Sequence, residues 1–129
     1  MSEGGFEKVH CFIEEKIMSI ISYDDFEKVE LRSGTVVKAE PFPKARNPSY
    51  KVWVDFGSEL GVKQTSAQVT VHYTPESLLG RQVVGCVNLG VKNIAGFISE
   101  FLLVGFADTN GAICLAGVDS KVLNGQKLF

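Results

Sequence analysis

The 129-residue sequence has no apolar run approaching the roughly 20 residues that a bilayer-spanning helix requires. Its first residues carry Glu3, Glu7, Glu14 and Glu15 where a secretory leader would be basic and then apolar. The expectation is a cytoplasmic protein with no membrane insertion. Cysteine is scarce, and Cys11, Cys86 and Cys114 are odd in number, far apart and never in a Cys-x-x-Cys pair, which argues for reduced structural thiols. Histidine is scarcer still, limited to His10 and His72. There is no Ser-His-Asp arrangement, no zinc-ligand spacing, no phosphate-binding glycine loop, and residues 96–99 do not form a nucleophile elbow. Cys86 falls in an apolar segment and reads as a small core residue rather than a nucleophile. These absences predict a protein that is not an enzyme and has no catalytic residues, no cofactor and no metal. An excess of positive charge is missing as well: the formal net charge is −2, which excludes coating of duplex nucleic acid by bulk electrostatics and leaves room only for a local basic patch.

What is present describes a folded domain. Apolar residues make up 45% and charged residues 22%, well away from the signature of disorder. A chain of this length forms one domain and buries roughly two-thirds of the surface exposed by its unfolded form. No internal repeat or low-complexity tract interrupts it.

Two segments precede the main body. Phe6, Val9, Ile13, Ile17 and Ile20 recur at spacings of three and four with Glu7, Glu14, Glu15 and Lys16 between them, predicting an amphipathic helix within an N-terminal extension of residues 1–21. Ser22, ahead of Asp24 and Asp25, then caps a second short helix that runs to about Val29.

From Leu31 onward β-type segments dominate. Strands are expected at residues 31–40, 50–56 and 62–71, then at 82–89 and 101–106. Between the third and fourth, Thr74 caps a helical turn, Pro75 suits its first position and Gly80 closes it in a left-handed conformation. Three strands, a short helix and two more strands is the order of the OB-fold, a five-stranded β-barrel. The fold class is therefore all-β with short helices, the barrel carrying N- and C-terminal extensions. An additional strand at residues 112–118 and a turn at Asn124 and Gly125 exceed what the barrel needs. Such an edge seeks the N-terminal helices or a second copy of the chain, and a homodimer is the expectation.

Residues 31–46 read LRSGTVVKAEPFPKAR, and residues 88–105 read NLGVKNIAGFISEFLLVG. With SYDDFEKVE before the first strand, YKVWVDFG in the second and VKQTSAQV in the third, these stretches resemble the tRNA-binding domain family, closest to its CsaA-type branch of export-related chaperones. The likeness runs from about Ser22 to the C-terminus, which makes residues 22–129 the domain. It implies an OB barrel that dimerises through terminal extensions and has no catalytic activity. The implied partners are unfolded or pre-export polypeptides, with tRNA binding as the alternative function. Met18 stands where CsaA-type chains usually begin, so residues before it represent either an upstream start or an extra helix.

Candidate site residues follow from strand alternation and from this resemblance. In the second strand Val52, Val54 and Phe56 share one face, and Lys51, Trp53 and Asp55 share the other. Trp53 beside Lys51 suits stacking of a base and holding of a phosphate, or alternatively packing under a loop. Lys38 matches a family position that is usually basic, and Phe42, Pro43, Ala45 and Arg46 match the loop that follows it. Phe42, where other family members often have His, leans toward polypeptide recognition, or serves as a core plug between Pro41 and Pro43. The strongest signature is Asn88, Leu89, Lys92, Asn93, Gly96, Ser99 and Glu100. Relatives usually carry a proline and two basic residues in this loop, whereas Gly90, Val91, Lys92 and Asn93 stand here, and Ile98 replaces a further basic residue. Ser99 and Glu100 can equally satisfy backbone donors where a strand begins.

Two sets of residues result. Phe42, Trp53, Val91, Ile94, Phe97 and Ile98 are the candidates for polypeptide contact, because residues 91–98 are unusually apolar for an exposed connection. Lys38, Arg46, Lys51, Asn88, Lys92 and Ser99 are the candidates for tRNA contact. Setting aside Lys8 and Lys16, and Glu3, Glu7, Glu14 and Glu15, leaves equal numbers of basic and acidic residues. A neutral barrel with a depleted basic loop predicts weak, steeply salt-dependent RNA binding.

Overall fold

A computed structural model describes residues 18–129. The amphipathic helix expected in the N-terminal extension falls almost entirely outside these residues.

The first element is a short helix, α1 (Tyr23–Glu27). Ser22 accepts from the Asp25 N–H at 3.0 Å, and the Asp25 carboxylate accepts from the Ser22 N–H at 3.3 Å, a reciprocal capping box. The chain then enters β1 (Leu31–Pro41), β2 (Tyr50–Asp55), a helical turn α2 (Gly57–Leu60) and β3 (Val62–Ala67). After α3 (Pro75–Leu78) come β4 (Gln82–Cys86), β5 (Lys92–Ile94), β6 (Phe97–Ser99), β7 (Leu102–Leu103), β8 (Gly105–Ala107) and β9 (Ile113–Leu115).

The main sheet has the order β3-β2-β1-β4-β7, with antiparallel pairing throughout. It curls until β3 meets the chain around Glu100. There the Glu100 N–H donates to the Gln64 carbonyl at 2.8 Å, and Thr65 Oγ1 donates to the Phe101 carbonyl at 2.6 Å. This is the nearly closed five-stranded barrel of the OB type.

A bulge in β1 makes the curl possible. Val36 pairs with Val54 and Lys38 with Trp53, so Val37 has no partner in the register. The extra residue bends the strand and lets its first half pair with β4 while its second half follows β2. It also reverses the alternation. Val36 faces the core, Lys38 faces outward, and Ala39 packs against the core in its stead.

The interior is built from the inward residues of β1, β2 and β4. Val36, Val52, Val54, Phe56 and Val83 are fully buried together with Leu78 of α3. Phe56 and Phe101 meet edge to face with centroids 4.9 Å apart. The α3 helix forms as expected, with Thr74 and Ser77 capping each other reciprocally and Gly80 at φ +80° behind it.

Several boundaries differ from the sequence expectations. The third strand ends at Ala67 rather than residue 71, and the fourth at Cys86 rather than residue 89. The fifth splits at Val104: β7 pairs with β4, whereas β8 leaves the barrel to pair with β9. The additional strand is confined to β9. Residues 91–98, expected as an exposed connection, fall largely within the β5–β6 hairpin, turned by Ala95 and Gly96 at positive φ.

The C-terminal segment returns to β1. Ser33 donates to the Gln126 carbonyl at 2.9 Å, Gly125 to that of Ser33 at 2.7 Å, and Leu128 to that of Leu31 at 2.8 Å. Residues 124–128 thus pair with the chain's own strand β1, whereas the extra strand β9 pairs only with β8 in a separate two-stranded sheet.

Candidate binding groove

The outward face of β2 carries Lys51 and Trp53, as alternation requires, and the bulge sets Lys38 across from Trp53. The β5–β6 hairpin folds over this face. Phe97 lies between Phe42, at a centroid distance of 5.5 Å, and Trp53, at 5.9 Å, both edge to face. Phe42 is only 4% exposed and forms the floor of this cluster. The Lys38 ammonium sits 4.6 Å from the Trp53 ring centroid, and that of Lys51 sits 4.9 Å from Phe42 and 5.0 Å from Phe97. These are favourable cation–π contacts, and they keep two cations poised at the surface of an aromatic patch. Trp53 Nε1 donates to Gln64 Oε1 at 3.2 Å, while Gln64 Nε2 donates to the Ile98 carbonyl at 2.9 Å, which fastens the hairpin to β3.

Beside the hairpin lies an open groove of about 670 Å³. Residues 65–69 form one wall, residues 89–92 and Ile94 another, and residues 101–105 with Ile113 the remainder. Leu89, Val91 and Leu102 stand at 66%, 71% and 54% exposure. These accessible apolar side chains share the rim of one depression.

The candidate residues divide between these features. Val91, Lys92, Ile94 and Ser99 line the groove, whereas Phe42, Trp53, Phe97, Lys38 and Lys51 build the aromatic–basic patch. Ile98 is partly exposed on β6, and Arg46 is exposed in the β1–β2 connection. Asn88 and Ser99 make internal bonds. The Asn88 amide accepts from the Glu30 N–H at 3.0 Å and donates to the Lys28 carbonyl at 2.6 Å, tying α1 to the end of β4. Ser99 Oγ accepts from the Ser66 N–H at 2.9 Å. Sequence reasoning placed Leu89 in the family signature without naming it as a contact, and it missed Leu102 at the groove rim. Their exposure depends on where β4 and β7 end, which periodicity over so few residues does not define.

A β-barrel of this order with a basic and aromatic outer face places the chain among the small OB-type modules. The chain belongs to the family described as "Putative tRNA binding domain", whose model matches residues 31–127. Among solved structures it is similar to the chaperone CsaA from Bacillus anthracis str. Ames, with 42% identity, a TM-score of 0.80, and coverage of 86% of this chain and all of that one. It is also similar to the CsaA chaperone protein from Picrophilus torridus, with 34% identity, a TM-score of 0.79, and coverage of 85% of this chain and all of that one. Among curated proteins it is 37% identical over 108 residues to the methionine–tRNA ligase of Chlorobium chlorochromatii (strain CaD3), covering 84% of this chain. The chain spans only 15% of that ligase's length.

Proposed function

We propose that this protein is a CsaA-type chaperone that works in the cytoplasm as a homodimer and holds unfolded or pre-export polypeptide in its apolar groove. The observation that carries the reading is the exposure of Leu89, Val91 and Leu102 around a depression of about 670 Å³. A guest that buries apolar side chains there gains about 25 cal/mol per Å² removed from water, without needing a particular sequence. Val91, Ile94 and Ile98 contact the guest, and Phe97 with Trp53 and the underlying Phe42 gives the hairpin a rigid base. Similarity to CsaA over the whole of that chain supports this reading.

A second reading, tRNA binding, is favoured by Lys38 and Lys51 on the faces of aromatic rings. Arg46 and Lys92 would add phosphate contacts, and Asn88 and Ser99 would serve by shaping the loop. Equal numbers of acidic and basic residues in the barrel make this the weaker interaction, since phosphate binding draws on counterion release.

Salt separates the two. Fluorescence anisotropy of a labelled unfolded precursor and of bulk tRNA, each titrated at low and high salt, gives the test. Polypeptide affinity that holds or rises with salt while tRNA affinity collapses supports the chaperone reading. Tight tRNA binding at high salt with no polypeptide binding overturns it.

A further inference from the structure

The β8–β9 hairpin and the segment after β3 bring together His72, Asp108 and Cys114, three side chains that no part of the proposed function uses. Phe106 pairs with Cys114 across the hairpin, so Asp108, two residues beyond Phe106, projects from the same face as Cys114. A tight turn follows Asp108: Gly111, at φ +86°, donates to the Asp108 carbonyl at 3.0 Å, and the Asp108 N–H donates to the Ala112 carbonyl at 2.8 Å. Asp108 Oδ1 accepts from the N–H groups of Asn110 at 2.8 Å and Ala112 at 2.9 Å. The carboxylate is therefore held in one orientation, with Oδ2 presented to His72 Nε2 at 2.7 Å. The donor atoms of His72, Asp108 and Cys114 all lie within 4.8 Å of one another.

We infer that His72, Asp108 and Cys114 form a binding site for a thiophilic divalent cation, with Zn²⁺ the best match. An imidazole nitrogen, a carboxylate oxygen and a thiolate sulfur bind Zn²⁺ at about 2.0–2.3 Å, which sets donor-to-donor separations of roughly 3.3–3.8 Å around a tetrahedron. The His72–Asp108 hydrogen bond, 2.7 Å long, opens by about 0.6 Å to admit the ion, and Cys114 closes by at most about 1.3 Å. Carboxylate and thiolate neutralise the dication, and mixed nitrogen, oxygen and sulfur donors disfavour Mg²⁺ and Ca²⁺, which take oxygen. The paired N–H groups on Oδ1 supply the outer-shell anchoring that metal-binding carboxylates use. His72 and Asp108 side chains are 41% and 26% exposed, so the ion enters from solvent and a fourth position stays open to water. Filling the site ties the segment after β3 to the β8–β9 hairpin beside Ile113, a residue of the groove wall.

The test titrates Co²⁺, as a spectroscopic substitute for Zn²⁺, into the full chain carrying Cys11→Ser, which removes the thiol lying outside the described residues. The expected result is one equivalent bound with a thiolate-to-cobalt charge-transfer band. Cys114→Ser abolishes the band and His72→Ala weakens binding at least tenfold, with circular dichroism unchanged. A second measurement needs no substitution in the cluster: Zn²⁺ slows alkylation of Cys114 at least tenfold. A thiolate band that survives Cys114→Ser overturns the site. So does a band seen only when Cys11 is present, or alkylation that is indifferent to Zn²⁺.

Discussion

Glu100 grips Gln64 twice: its N–H donates to the Gln64 carbonyl at 2.8 Å, and its carboxylate accepts from the Gln64 N–H at 3.0 Å. One residue earlier, Ser99 Oγ does the same for the Ser66 N–H at 2.9 Å. The Ser-Glu pair is thus the seam along which β3 meets the returning chain, in place of a regular ladder.

Truncating this seam exposes its worth. Glu100→Ala removes a carboxylate acceptor from a half-buried backbone donor and should lower stability by about 1–2 kcal/mol, while Glu100→Gln, which retains an accepting oxygen, should recover most of the loss. Urea denaturation read by far-ultraviolet circular dichroism measures both. Equal midpoints for all three proteins would show that the seam holds without the side chain.

Gly85 lies where β4 crosses the aromatic pair of the core. A Cβ there would sit 2.6 Å from Phe56 Cζ and 2.8 Å from Phe101 Cδ2, and both rings are locked by packing. Gly85→Ala should therefore cost about 1–3 kcal/mol through overpacking, despite the small size of the added methyl group. Thermal unfolding of the variant gives the sign and the magnitude.

Acid should loosen the C-terminal segment. Hydrogen bonds from Lys127 and then Arg32 hold the Glu30 carboxyl below its ordinary value, against the opposing effect of burial. A group whose pKa is depressed by folding stabilises the native state above its unfolded value, and this contribution vanishes as pH falls through the folded value. Below the ordinary carboxylate range the melting temperature should therefore fall with pH, and Glu30→Gln should flatten part of that slope. Parallel pH profiles for the two proteins would refute the assignment to Glu30.

Within the groove, Val91→Asp places a charge where an apolar guest must lie. Losing the burial of one aliphatic side chain amounts to about 1.5–3 kcal/mol, so polypeptide affinity should fall roughly tenfold or more. Because Val91 is exposed, the melting temperature should stay constant. Unaltered binding by anisotropy would remove Val91 from the interface.

Local sequence sufficed to locate the first four barrel strands, the inward Val52, Val54 and Phe56, and the Ser22 and Thr74 helix caps. Each depends on neighbours within a few residues, through side-chain alternation or local hydrogen bonds. The family motifs added where a site would gather. Only the tertiary structure decided that Lys38 faces outward, because alternation from Val36 would turn it into the core and a bulge set by two sheet partners reverses it. It alone made residues 92–99 a hairpin, since three-residue strands are too short to carry a period and Phe97 finds its place against Phe42 and Trp53, far away in the chain. The meeting of His72 with Asp108 and Cys114 is likewise long-range, and no spacing in the sequence announces contacts that arise only when separate strands fold side by side.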